Sequence, residues 1–284
     1  MPVPGAQLYF RDIGTGPPLV ILHGGPDFNH AYLLPEMDRL SSVFRLLYYD
    51  QRGRGKSSRG VVPEDVGIDS EVEDLDRIRR YFGLEAISLV GHSWGGLLAM
   101  EYAARRPDRV AHLVLMNTAP ASSADRVLFR ERRERNESDA LARMRAISAS
   151  PEYAAGDIAT EAEYYRAHFR AALARPEQLE RVVGSLRAHF TAQDILKARA
   201  IEDRLYAQTW LSPGYDLRPR LGPLKSPTLV IHGERDFVPL ECSRNIADSV
   251  PGARLVVLPE CGHFAYLERP ADVLETVVDF VSRR

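Results

Sequence analysis

The sequence predicts an α/β chain in which a mostly parallel, doubly wound sheet carries an all-helical insertion. Three observations predict it. Short, nearly continuous apolar runs alternate with amphipathic stretches through the first 120 residues. Such runs suit strands buried on both faces of a parallel sheet. The same rhythm resumes after residue 222, whereas residues 121–221 show helical periodicity and no convincing strand. The expected division is a first core part at 1–120, a helical cap at 121–221 and a second core part at 222–284.

Each element has its own signal. Residues 8–13 read as an edge hairpin strand. Residues 19–22, Leu-Val-Ile-Leu, read as a buried strand ending at His23-Gly24-Gly25, and 44–49 as a second ending at Asp50. Residues 71–82 place Val72, Leu75, Ile78 and Phe82 at helical spacing, with Gly83 suited to stop the helix. A strand at 87–90, a helix at 97–105 rich in Ala, Leu and Met, and a strand at 110–116 follow. In the insertion, 126–135 is densely charged, and 161–173, 177–190 and 192–206 carry apolar residues at helical spacing. Pro213-Gly214, Pro219 and Pro223 return the chain to the sheet. Strands at 227–231 and 253–258 then alternate with helices at 240–250 and 270–281.

Composition narrows the function classes. Of 284 residues, 45% are hydrophobic and 27% charged, which allows a substantial core. A formal net charge of -2 gives no electrostatic reason to expect nucleic acid or an anionic membrane as partner. Two cysteines, Cys242 and Cys261, fit buried free thiols better than a disulfide framework. The start, Met1-Pro2-Val3-Pro4-Gly5, lacks the charged-then-apolar layout of a secretion signal, so a cytoplasmic protein is expected. No apolar run reaches the ~20 residues that span a bilayer.

The chemistry concentrates at strand ends. Gly91-His92-Ser93-Trp94-Gly95 is a G-x-S-x-G sequence between a buried strand and a helix. Small neighbours let those two elements approach while the serine takes strained backbone angles at the apex. Ser93 is thus the expected nucleophile, and a serine hydroxyl needs a base. Of eight histidines, His263 is the best placed, in the loop after the last strand. His92 adjoins Ser93 but points away from it, and His232 at a strand end is expected to pack nearby. His30, His112, His168 and His189 read as surface or packing residues. Asp236, ending the strand before that of His263, would fix the imidazole tautomer, and is preferred to Glu234. The strand after the Ser93 helix ends at Asn117-Thr118, with no carboxylate at its tip. The oxyanion would be held by the backbone N–H groups of Trp94 and Gly25, since Pro26 cannot donate.

Asp50-Gln51-Arg52-Gly53-Arg54-Gly55-Lys56-Ser57 lacks phosphate-loop spacing. It reads as a structural loop, with Asp50 and Arg52 bonding the backbone or each other. No metal-ligand or cofactor motif appears, so no cofactor is expected.

Together with His23-Gly24-Gly25-Pro26 and Gly262-His263-Phe264, these motifs make the chain resemble the α/β-hydrolase superfamily. Within it the chain is similar to the proline iminopeptidase group. The shared motifs cover roughly residues 1–120 and 222–284. The His-Gly-Gly-Pro and Asp50–Ser57 segments, with Trp94, point to the iminopeptidase group, and the rest is common to many esterases and lipases. The resemblance implies release of N-terminal residues from short peptides, with acidic cap side chains holding the free amine. Glu161, Glu163, Glu177, Glu180, Glu202 and Asp203 are the cap carboxylates, and Glu163 and Glu202 are the chosen amine binders. Two positions depart from the group, which has glycine where this chain has Asp27 and His92. Asp27 reads as a turn former, and Gly-His-Ser-Trp-Gly is the version common in esterases. The expected activity is acyl transfer from a small amide or short-peptide substrate through an acyl-enzyme. A carboxylesterase with the same residues, and a slow-turnover ligand receptor on the same fold, are the alternatives.

Overall fold

The computed structural model describes residues 1–187 and 190–282. Ala188 and His189 lie outside the described residues, and with them the packing role expected of His189. Strands β1 (Pro2–Val3) and β2 (Ala6–Gln7) form a small hairpin before the main sheet. That sheet comprises β3 (Phe10–Ile13), β4 (Pro18–Leu22), β5 (Arg45–Tyr49), β6 (Ile87–His92), β7 (Val110–Met116), β8 (Thr228–Gly233) and β9 (Arg254–Leu258). Their spatial order is β3-β5-β4-β6-β7-β8-β9, with β3 antiparallel to β5 and every other pair parallel.

The strands form where the apolar runs are longest because both sheet faces are covered. Val20, Leu22, Leu89, Leu113 and Val230 pack on one side with Val72, Leu75, Ile78 and Leu97. Those helical residues belong to α1 (Ile68–Tyr81) and α2 (Trp94–Arg105). Leu19, Ile21, Val90, Val114 and Ile231 point to the other side, with Val273 and Val277. Each such side chain, taken fully from water, contributes about 1.5–3 kcal/mol. Alternation along buried strands therefore feeds two cores rather than one core and a wet face.

Between β7 and β8 the chain is helical. It runs through α3 (Ser123–Asn136), α4 (Ser138–Ser148), α5 (Pro151–Ala154), α6 (Ile158–Phe169), α7 (Leu179–Leu186), α8 (Ala192–Gln208) and α9 (Arg218–Leu221). Serine or threonine at Ser122, Ser150 and Thr191, and Asp157, cap four of these through their side chains. Helices α10 (Leu240–Ser249), α11 (Ala265–Glu268) and α12 (Pro270–Ser282) complete the fold.

One helix boundary differs from expectation, and the loop expected to bond the backbone does so and adds ion pairs. Helix α2 starts at Trp94, three residues earlier than the apolar pattern begins, because Gly95 and Gly96 mask its first turn in the sequence. In the Asp50–Ser57 loop, Asp50 accepts from the backbone N–H of His30 (3.0 Å) and Lys56 (2.9 Å). Arg52 instead pairs with Asp74 and reaches the Pro4 carbonyl, and Arg54 pairs with Glu71, tying the loop to α1. Cys242 and Cys261 are buried free thiols. No helix of the described residues is long and apolar enough to cross a membrane.

Candidate active site

Ser93 stands between β6 and α2 with φ 54° and ψ −120°. A non-glycine residue held there costs about 1–3 kcal/mol. Three backbone bonds hold it. Its N–H donates to the Met116 carbonyl (3.1 Å), and its carbonyl accepts from Gly96 (2.9 Å) and Ala119 (3.0 Å). The turn also demands close approach. A Cβ on Gly95 would lie 2.3 Å from the Leu22 carbonyl oxygen, so only glycine lets α2 start against β4.

His263 and Asp236 arrive from the loops after β9 and β8. His263 Nδ1 donates to Asp236 Oδ1 at 2.9 Å, and both residues are buried. Asp236 has two further donors, the Val238 N–H (2.9 Å) and Asn117 Nδ2 (2.8 Å). Burial pushes the Asp236 carboxyl up, but the His263 charge and hydrogen bond, with His232 and Asn117, outweigh it and hold the group down at about 2. The carboxylate is therefore ionised at neutral pH and fixes the proton of His263 on Nδ1, leaving Nε2 free to accept. Glu234 is exposed and accepts from the Glu260 N–H instead.

Asn117 is a positioning residue that sequence reasoning passed over as a strand tip lacking a carboxylate. It has φ 45° and also donates to the Gly262 carbonyl (3.0 Å), so it braces both the Asp236 and His263 loops. The signal was present in the parallel pairing of β7 with β8, which sets Met116 beside Ile231.

His92 has a defined task in this packing. Its Nε2 lies 2.9 Å from the His263 carbonyl, which can only accept, so Nε2 carries the proton. Nδ1 then accepts from the Tyr32 hydroxyl (2.7 Å), and that oxygen accepts from the Gly24 N–H (2.7 Å). Burial holds the His92 imidazole down at about 3, hence neutral. Tyr32 thus links the Gly24-Gly25 loop to the His263 loop. Tyr32→Phe is expected to destabilise the protein by about 1–3 kcal/mol, since two buried groups lose their partner. Urea unfolding of both proteins measures it, and an unchanged midpoint would show the relay to be idle.

Ser93, His263, Gly25 and Tyr32 line one cavity of about 110 Å³ beneath the helices. Gly25 adopts φ 115°, a left-handed conformation that side-chain-bearing residues avoid. The backbone N–H groups of Gly25 and Trp94 donate to no protein acceptor among the described residues. The other walls are aromatic and charged, including Phe28, Phe169, Phe237, Tyr206, Trp210, His168, Arg126 and Glu202. His168, read from sequence as a surface or packing residue, is half-buried against Phe169 and Phe237, and desolvation first and the Arg133 charge second hold its imidazole neutral. Asp27 is more than a turn former. It is buried, accepts from Tyr165 (2.6 Å) and pairs with Arg187, which joins it to Glu161.

The two chosen cap carboxylates separate. Glu202 on α8 lines the cavity, where burial first and Asp27 second push its carboxyl up. Glu163 does not reach the cavity. Its carboxylate lies at the surface between Arg143 (2.5 Å) and Arg166 (2.8 Å), so it is corrected to a surface ion pair of α4 and α6. The resemblance implied acidic side chains in the cap, but which of them turn toward the cavity depends on how the neighbouring helices pack. Among the described residues no three His, Cys, Asp or Glu side chains converge as a metal ion would require.

Residues 17–270 match the family described as alpha/beta hydrolase fold. The proline iminopeptidase of Saccharolobus solfataricus is 27% identical, over 98% of this chain and 90% of its own length. A solved esterase from Thermogutta terrifontis superposes with TM-score 0.70 at 26% identity, covering 97% of this chain and 93% of the other. The crystal structure of the Mycobacterium smegmatis proline iminopeptidase, 24% identical with TM-score 0.72 over 99% and 96% of the two chains, shares the fold. A match running through both sheet halves and the helices between them makes the chain a member of the alpha/beta hydrolase family, and the protein is a hydrolase.

Proposed function

We propose that the protein is a serine hydrolase that cleaves small amides or short peptides bearing a free N-terminal amine, through an acyl-enzyme. Residues 1–120 and 222–284 are the catalytic core in this reading, and 121–221 the cap that selects the substrate. His263 Nε2 takes the Ser93 proton as Ser93 Oγ attacks the carbonyl. The Gly25 and Trp94 N–H groups stabilise the oxyanion, and being preorganised they need no rearrangement as charge develops. Protonated His263 then delivers its proton to the leaving amine. Water, activated by the same imidazole, releases the acid and restores Ser93.

The observation that carries the amide reading is Glu202, a cavity-lining carboxyl with no ion pair among the described residues. Burial and Asp27 favour its neutral form. An entering ammonium would favour its charged form and gain a charge-assisted hydrogen bond. The 27% identity with proline iminopeptidases supports this reading. Gly-His-Ser-Trp-Gly and the 26% identical esterase support the second one, a carboxylesterase acting on small esters.

Proline and alanine arylamides, their N-blocked forms and short-chain aryl esters distinguish the two. Cleavage of free-amine arylamides alone or best supports the peptidase, and ester cleavage with all amides inert overturns it. Glu202→Gln is expected to raise KM for free-amine arylamides at least about 10-fold, the worth of one charge-assisted bond, while Glu163→Gln leaves it unchanged. Equal effects of the two substitutions would remove Glu202 from amine binding. Binding without turnover, and no burst with activated esters, would favour the receptor alternative.

A further inference from the structure

The cavity that holds Ser93 and His263 contains two arginines of α3, and they are not equivalent. Arg133 is satisfied within the protein: it pairs with Glu137 (2.9 Å) and approaches both the His168 ring and the His168 carbonyl. Arg126 has no such partner. No carboxylate pairs with it, and its guanidinium donates to no acceptor among the described residues. Two aromatic rings flank it instead. Its guanidinium carbon lies 5.3 Å from the Phe129 ring centroid and 5.5 Å from that of Trp210.

Two ring faces hold a planar cation in place without using its N–H donors. Five donors in a rigid fork then remain for whatever fills the cavity. Burial disfavours the charge of Arg126, and nearby Arg133 and Arg130 disfavour it further, whereas Glu202 acts on it in the opposite sense. An anion arriving in the cavity would relieve that cost. The guanidinium fork fits a carboxylate in two parallel bonds.

We propose that Arg126 is the anchor for a carboxylate of the substrate, so that the preferred substrates are small acyl compounds carrying a free carboxylate group. The proposal rests on the Ser93 hydrolase reading and adds to it a polarity. A substrate amine goes to Glu202 on α8 and its carboxylate to Arg126 on α3. The carboxylate can stand on the leaving group, as in a dipeptide with a free C-terminus, or on the acyl group, as in an acidic side chain.

Matched pairs test both sources. Prolyl-glycine against prolyl-glycinamide places the charge on the leaving group. Glutamate α-arylamide against glutamine α-arylamide places it on the acyl group, and an aryl half-ester of succinate against an aryl butyrate does so without an amine. In the wild type the charged member of at least one pair is expected to show the higher kcat/KM. Arg126→Met, which keeps length and apolar contact with Phe129 and Trp210, is expected to lower that value about 10- to 100-fold. The neutral member should stay within about threefold. Arg126→Lys should recover part of the loss, as a point charge without the fork.

Calorimetric binding of the same pairs to Ser93→Ala protein, with and without Arg126→Met, gives a readout free of turnover. A wild type that prefers no charged member, together with equal binding of both members of every pair, overturns the proposal. So does Arg126→Met lowering both members alike, because Arg126 would then be packing only. Absence of any turnover with intact discrimination in binding would instead overturn the hydrolase reading and leave the carboxylate anchor standing.

Discussion

Ser93→Ala is expected to lower kcat by about 10⁴- to 10⁶-fold on every substrate the protein cleaves, the range found when a serine nucleophile that works with its base as a unit is removed. The fold should survive the change. Ser93 Oγ donates to no acceptor among the described residues, and the turn is held by its backbone, through Met116, Gly96 and Ala119. The strain belongs to φ 54°, which alanine must bear just as serine does. The melting temperature should therefore move by no more than a few degrees while turnover disappears. Residual activity would come from Gly25 and Trp94 still polarising the carbonyl. Mass spectrometry with an activated phosphonate gives a second reading: one adduct on the wild type, none on Ser93→Ala. A variant that kept full activity and took up the label would remove Ser93 from the chemistry.

The sheet was legible because nothing else in the chain looks like it. A run such as Leu19 to Leu22, apolar at every position, suits a strand covered on both faces, and such runs recur at β5 through β8, while that of β9, at the sheet edge, leaves Val257 exposed. The turn at Ser93 was legible for a related reason: three close approaches, Gly91 to the Gly95 backbone, Gly95 to the Leu22 backbone and Gly96 to the Thr118 side chain, require three glycines, and they stand in the sequence. Contacts between distant segments were not. Asp27 read as a turn former because its partners, Tyr165 and Arg187, lie 138 and 160 residues away. Glu163 and Glu202 carry the same helical periodicity, and only the packing of α4, α6 and α8 sets one among arginines at the surface and the other beside Asp27. Asn117 showed no chemistry of its own, and its role exists only because β8 delivers Asp236 to the neighbouring strand end. Arg126 and His168 had no local sign at all, since residues of a charged helix face look alike until a cavity forms against them.

Asp236→Asn is the second large effect, about 10³- to 10⁴-fold in kcat, and here the environment of Asp236 makes the argument. Every group hydrogen-bonded to this side chain is a donor: His263 Nδ1–H, Asn117 Nδ2–H and the Val238 N–H. A carboxylate satisfies all three with acceptor lone pairs. An asparagine has one oxygen and one NH₂, and its NH₂ must meet at least one donor head-on. The backbone N–H of Val238 cannot turn away, and the Asn117 amide is held in its orientation by its second bond, to the Gly262 carbonyl (3.0 Å), whereas the His263 ring can change tautomer. The cheapest adjustment moves the His263 proton from Nδ1 to Nε2, so that Nδ1 accepts from the new amide. Nε2 then has no lone pair to take the Ser93 proton, and the base is lost although every heavy atom stays near its place. KM should change little, because Asp236 does not line the cavity. The carboxylate, held at about 2, supports folding above the unfolded-state value near 4, and that support is lost as pH falls from there through about 2. Wild type and Asp236→Asn should therefore converge in stability toward pH 2 and differ most at neutral pH. A variant equally unstable at both pH values would show that the loss is one of packing. A kcat within tenfold of wild type would mean that His263 keeps its tautomer without Asp236, and that the pairing at 2.9 Å is structural rather than catalytic.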